Sequence, residues 1–212
     1  MIKIALTFVS AIVLSSISFA EETNSSASVW AVSEESAFYV GLGIAAMSAR
    51  DAGVSLDYFD PKPGEQDRLG NLTLLAGYDF NDYIAVEGRY TTSIVDEDEV
   101  KMSGWSLFVK PQYAFKESET NEKNGYKIYA LLGFGGVSMD GVNGYYADVD
   151  NTGFQWGIGA SYSLIKTANH KDLSIFIDYT SLANNMDGAY PNGASQVDAD
   201  AITLGLTYRF GL

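Results

Sequence analysis

From about residue 37 to the last residues, the chain alternates apolar with small or polar positions in eight separate runs, each bounded by stretches rich in Gly, Asn, Asp or Lys. A period of two is what a β-strand with two different faces produces. The first run sets Phe38, Val40, Leu42, Ile44 and Ala46 against Tyr39, Gly41, Gly43 and Ala45. The second sets Leu72, Leu74, Ala76, Tyr78 and Phe80 against Asn71, Thr73, Leu75, Gly77 and Asp79, and the third sets Ile84, Val86, Gly88 and Tyr90 against Ala85, Glu87, Arg89 and Thr91. Trp105, Leu107, Val109, Pro111, Tyr113 and Phe115 oppose Ser106, Phe108, Lys110 and Gln112 in the fourth. Ile128, Ala130, Leu132 and Phe134 oppose Lys127, Tyr129, Leu131 and Gly133 in the fifth. The sixth opposes Phe154, Trp156, Ile158, Ala160, Tyr162 and Leu164 to Gln155, Gly157, Gly159, Ser161 and Ser163. The seventh opposes Leu173, Ile175, Ile177 and Tyr179 to Ser174, Phe176, Asp178 and Thr180, and the eighth opposes Ile202, Leu204, Leu206, Tyr208 and Phe210 to Ala201, Thr203, Gly205, Thr207 and Arg209.

Eight amphipathic antiparallel strands fit a soluble barrel or sandwich with its apolar face inside, or a membrane barrel with that face against lipid. The apolar face of these runs carries no charge, and aromatics gather near strand ends: Phe38, Tyr78, Phe80, Tyr90, Tyr113, Phe115, Tyr162, Tyr179, Tyr208 and Phe210. That is the arrangement of girdles at two membrane interfaces. The opposite face is rich in Gly, Ser and Thr, which suits a narrow lumen better than a solvent face, where glycine weakens a strand and adds no solubility. The expected fold is all-β, an eight-stranded antiparallel up-and-down transmembrane β-barrel, with a secreted lipocalin-like barrel as the alternative.

Connection lengths agree with short periplasmic turns and longer outer loops. The outer connections are expected at about residues 48 to 69, at SIVDEDEVK, at about 139 to 151 and at about 183 to 200. The inner ones are Asn81-Asp82, KESETNEKNG (116 to 125), which is long for a turn, and KTANHK.

The first twenty residues are a separate unit. Lys3 is a charged start, Ile4 to Leu14 an apolar stretch, and Ser18-Phe19-Ala20 a small-x-small cleavage site, which together read as a cleaved secretory signal over residues 1–20. A membrane anchor is the alternative, but the uninterrupted apolar stretch falls short of the roughly 20 residues that span a bilayer. Residues 21–36 are expected to be a flexible N-terminal segment, and 37–212 the barrel domain.

Composition narrows the function. A hydrophobic fraction of 47% excludes a disordered acidic chain, and the absence of cysteine excludes thiol chemistry and disulfides. With 13 Lys and Arg against 27 Asp and Glu, net charge −14, there is no cationic footprint for nucleic acid.

The signal-like start, the eight runs, the motifs LLGFGG and WGIGASY and the ending LGLTYRF resemble the small outer-membrane β-barrel proteins of Gram-negative bacteria, the OmpA, OmpX and opacity-type group with a porin-family outer-membrane β-barrel domain. The resemblance implies an integral protein of the outer membrane, in contact with its lipid and lipopolysaccharide, and a monomer. It also implies an assembly address for the barrel-assembly machinery at Leu204, Leu206, Tyr208 and Phe210, with Gly211-Leu212 as an overhang that departs from the pattern.

Candidate chemistry divides between lumen and loops. Asp79, Glu87, Arg89, Lys110, Lys127, Asp178 and Arg209 fall on the lumen face. Buried charges must pair, so a network of Glu87 and Asp178 with Arg89, Lys110 and Arg209 is expected, acting as a plug or, in the functional alternative, as a narrow gated path for ions or small solutes. The outer loops carry Tyr58, Asp96, Glu97, Asp98, Glu99, Tyr145, Tyr146 and Tyr190, a set suited to contact with an extracellular protein or to a solvated acidic rim. Such carboxylates can hold divalent cations loosely, but DVDNTG (148 to 153) is no calcium loop, since Thr152 and Gly159 stand where oxygen ligands are required. No metal site or cofactor is expected.

Some small barrels modify lipid A with a histidine base beside a serine. The sole histidine, His170, lies in an expected periplasmic turn, so no residue takes a catalytic role and the chain is not expected to be an enzyme. The expected function is structural and surface-interacting: envelope integrity and adhesion through acidic outer loops.

Overall fold

The computed structural model describes residues 36–51, 56, 66–94, 100–116, 123–141, 149–166, 172–187 and 196–211. They form β1 (Ala37–Asp51), β2 (Gln66–Asp79), β3 (Ile84–Ser93), β4 (Val100–Lys116), β5 (Lys123–Gly141), β6 (Val149–Lys166), β7 (Asp172–Asp187) and β8 (Gln196–Gly211). Each strand pairs antiparallel with its sequence neighbours and β8 returns to β1, closing the barrel. The all-β, eight-stranded up-and-down barrel expected from the alternation is the observed fold.

The register sets the barrel's shape. Phe38 pairs with Tyr78, Tyr78 with Val86, Val86 with Val109, Val109 with Leu132, Leu132 with Trp156, Trp156 with Ser181, Ser181 with Asp200, and Asp200 with Ser48. One circuit therefore climbs ten residues along β1, from Phe38 to Ser48, so the strands tilt and a level ring drops about one and a quarter residues per strand. At eight strands the interior is only wide enough for side chains.

The outward face is apolar and exposed: Ile44, Phe134, Phe154, Ile158 and Leu206 all lie open, while their neighbours on the strand point inward. No folding force within the chain would leave so much apolar surface uncovered in water; in lipid it is the solvated face. Phe80 and Ile84 keep to the expected apolar face, where the Phe80 ring meets that of Tyr78 at 5.1 Å and Ile84 pairs with Pro111. Both are buried, because Asn81 Oδ1 accepts from the backbone N–H groups of Tyr83 (2.8 Å) and Ile84 (3.1 Å) and folds the tight β2–β3 turn against the wall.

The strands run further than their alternation indicates. The connections shrink to 52–65, 94–99, 142–148 and 188–195 at one end, and to 80–83, 117–122 and 167–171 at the end where β1 starts and β8 finishes. Of segment 116–125, expected as a long inner connection, residue 116 belongs to β4 and residues 123–125 to β5, which leaves 117–122 between the strands. Beyond the apolar belt the outward positions become polar, as at Ser48, Arg50, Lys101, Asp140, Asp198 and Asp200, so the contrast between faces that marks a strand vanishes although hydrogen bonding continues. The outward face thus does carry charge, at the end with the longer connections.

Candidate functional site

Inside the barrel, glycine placement decides where the large rings go. Tyr39 pairs across strands with Gly77, Phe108 with Gly133, Tyr129 with Gly159 and Phe176 with Gly205. A Cβ on Gly77 would stand 2.2 Å from the Tyr39 ring, and one on Gly159 would stand 2.5 Å from the Tyr129 ring. With hydrogen there instead, each tyrosine lies flat on the wall and aims its hydroxyl along the lumen.

Those hydroxyls complete a charge network. Glu87 accepts from Arg89 Nε at 2.7 Å, from Lys110 Nζ at 2.8 Å and from Tyr39 OH at 2.7 Å. Asp178 takes a two-pronged contact from Arg89, Nη1 to Oδ1 at 2.9 Å and Nη2 to Oδ2 at 2.7 Å, and a third hydrogen bond from Tyr129 OH at 2.9 Å. Lys110 Nζ sits 4.1 Å from the centre of the Tyr129 ring and 5.1 Å from that of Tyr39. Phe108 and Phe176 flank the Arg89 guanidinium at 5.7 and 5.9 Å. Two acids meet two cations, with aromatic faces covering the cations, so the buried charges balance locally.

Nearer the start of β1 and the end of β8, Arg209 Nε stands 3.3 Å from Asp79 Oδ2, and Gln112 Nε2 donates to Asp79 Oδ1 at 2.9 Å. Arg209 is therefore with Asp79, not with Glu87 or Asp178. Lys127 is half-buried on the same face, opposite Ala114 and Ser161. Toward the long-connection end, a neutral polar level follows, with Asn71, Thr73, Gln155 and Thr180 buried. Above it lies an apolar cluster around Met47, Met102, Met139, Val137, Val197 and Leu69.

Leu204, Leu206, Tyr208 and Phe210 all point outward and are exposed. Tyr58, Asp96, Glu97, Asp98, Glu99, Tyr145, Tyr146, Tyr190 and His170 lie outside the described residues. Among the described residues no three His, Asp or Glu side chains are grouped as a metal site. Sequence reasoning assigned no role to Arg50 and Asp200, having placed both at the edges of loops, nor to the inward aromatics. The aromatics had a signal: each inward Tyr or Phe faces an inward glycine on an adjacent run.

Comparison with known proteins agrees with this architecture. A family model described as the outer membrane protein beta-barrel domain matches residues 18–210. Among solved structures, Ail, the attachment invasion locus protein of Yersinia pestis, in complex with the heparin analogue sucrose octasulfate, is 18% identical with a TM-score of 0.52, covering 82% of this chain and 99% of that one. Neisserial surface protein A is 20% identical with a TM-score of 0.51, covering 82% of this chain and 97% of that one. At this identity the likeness is one of fold. A search of curated proteins finds no match.

Proposed function

The chain belongs to the outer membrane protein beta-barrel domain family, and from that premise we propose that it is a closed, monomeric barrel of the Gram-negative outer membrane whose function lies in what its outer loops touch. The supporting observation is the obstructed lumen: the Glu87–Arg89–Asp178–Lys110 network and the apolar cluster above it are buried, so at both levels the protein's own side chains occupy the interior. Such a barrel anchors and supports the envelope, and it displays its longer connections outside. Export by cleavage after Ala20, and assembly through the Leu204, Leu206, Tyr208 and Phe210 face, belong to this reading.

The charge of those connections selects a partner. They hold Asp57, Asp60, Glu65, Asp96, Glu97, Asp98, Glu99 and Asp148 against Lys62 alone. The Ail structure contains a sulfated sugar analogue, a polyanion; here like charges would repel one, and a basic protein surface is the complementary partner, with Tyr58, Tyr145, Tyr146 and Tyr190 as contact residues. The test is adhesion of cells displaying the protein to surfaces coated with basic extracellular proteins. Neutralising Asp96 to Glu99 and replacing the loop tyrosines with serine is expected to abolish adhesion while the barrel still folds; undiminished adhesion of a folded variant refutes the reading.

A second reading, a gated ion path, is supported by one feature: Glu87 holds Arg89 and Lys110 at once, so a cation could change partners without a charge being stranded. Stable single-channel openings of the purified protein in a planar bilayer would replace the first reading with this one.

A further inference from the structure

We propose that the lumen holds an enclosed layer of water beneath the methionine cluster, and that this apolar seal, not the ion-pair network, closes the barrel to ions. The proposal rests on the closed-barrel reading and locates the closure.

The water follows from three oxygens. Asn71, Gln155 and Thr180 are 1%, 0% and 2% exposed, yet Asn71 Oδ1, Gln155 Oε1 and Thr180 Oγ1 have no hydrogen-bond partner among the described residues. The amide orientations are set independently: Asn71 Nδ2 donates to the Met102 carbonyl at 3.1 Å, and Gln155 Nε2 donates to the Leu182 carbonyl at 3.0 Å. The two leftover amide oxygens are therefore acceptors, the Thr180 hydroxyl can donate or accept, and both amides are fixed by opposite parts of the wall, β4 and β7. Thr180 pairs with Gly157, two residues along β6 from Gln155, and the ten-residue climb of the register brings Asn71 on β2 to nearly the same height. Buried carbonyl oxygens of this kind are ordinarily satisfied by ordered water, which brings two donors. A cation is disfavoured, because the Arg89 guanidinium lies just below and Asp178 is already committed to Arg89 and Tyr129.

The seal follows from what lies above. Met47, Met102 and Met139 come from β1, β4 and β5, and Val197 from β8, and they pack in one cluster with Val137 and Leu69, none more than 3% exposed. Its buried members are all apolar, so an ion entering would shed its hydration with nothing in exchange, and an apolar constriction of this kind blocks by staying dry. Unbranched methionines can swing aside without backbone movement, so the seal could open while every ion pair below stays intact.

Two measurements test this on the full-length protein, expressed to the outer membrane, purified in detergent and verified as folded by heat-dependent gel mobility. In planar bilayers, wild type and the double variant Met47→Leu/Met102→Leu should be silent, while Met47→Ser/Met102→Ser should raise open probability at least tenfold; Met139→Thr serves if the double serine variant does not fold. Glu87→Gln with Lys110→Met, which removes a pair and keeps the seal, should stay silent. In nanodiscs, magnetisation transfer from water should reach the side-chain amides of Asn71 and Gln155 in wild type. A folded serine or threonine variant that stays silent, or the absence of water transfer to both amides, overturns the proposal and leaves the closed barrel standing. Steady conduction by wild type overturns both.

Discussion

Arg50 on β1 is ion-paired with Asp200 on β8, across the seam where the last strand closes on the first. Asp200 also accepts from Tyr179 OH at 2.5 Å, Arg50 lies 3.7 Å from Asp198, and Asp198 accepts from the Asn185 backbone N–H at 2.8 Å. Ser48 and Asp200 share the outward side with Phe38 and Trp156 along one pairing path, so this polar knot sits on the outside of the wall, at the long-connection end. It joins β7, β8 and β1 at the one junction that brings together the two ends of the chain's strand order.

Arg50→Ala leaves a nearly inaccessible Asp200 without its cation, and breaking a buried pair by removing one partner costs about 3 kcal/mol or more. The expected result is a lower urea midpoint in detergent micelles. The double variant Arg50→Ala/Asp200→Asn should recover part of the loss, because the stranded charge is gone.

Arg89→Met takes the cation from buried Asp178 and leaves Glu87 with Lys110, and is expected to destabilise the barrel by about 3–5 kcal/mol. Adding Asp178→Asn should restore stability rather than lower it further. A double-mutant cycle from urea unfolding reads the sign; simple additivity would show that the residues do not act as a unit.

Gly77→Ala forces the Tyr39 ring off the wall and away from Glu87, with an expected loss of about 1–3 kcal/mol. Gly133→Ala should be worse, since its Cβ would stand 1.9 Å from the Leu107 carbonyl oxygen, which is backbone and cannot rotate away. Gly88→Ala, with 3.9 Å to its nearest neighbours, is the near-neutral control. Yield of heat-modifiable protein orders the three.

Lipid exposure has a depth profile. Ile177→Lys places a cation on the outward face among apolar neighbours, 52% exposed, and is expected to cost about 2–4 kcal/mol. Ile94→Lys, also outward at 56% but just past the end of β3, should cost no more than about 1 kcal/mol. Equal costs in reversible folding into liposomes would contradict the placement of the belt.

Strand number and the two faces were legible because alternation is a local property: each strand carries the contrast between its lipid side and its lumen side. The ends of the strands were not. Arg50 and Asp200 lie where the outer face turns polar, so the run of apolar positions stops near Ala46 and Ile202 while the ladder continues to Asp51 and Gln196.

The sequence by itself determined an eight-stranded wall, its apolar outside, and the inward position of Glu87, Arg89, Lys110 and Asp178. Period two acts residue by residue and needs no knowledge of the rest of the chain. Only the closed structure decided that Arg89 spans to Asp178, 89 positions away, that Arg209 meets Asp79, and that three methionines from separate strands converge on one cap. Those meetings depend on the ten-residue climb around the barrel, which belongs to no single strand and arises only when β8 pairs with β1.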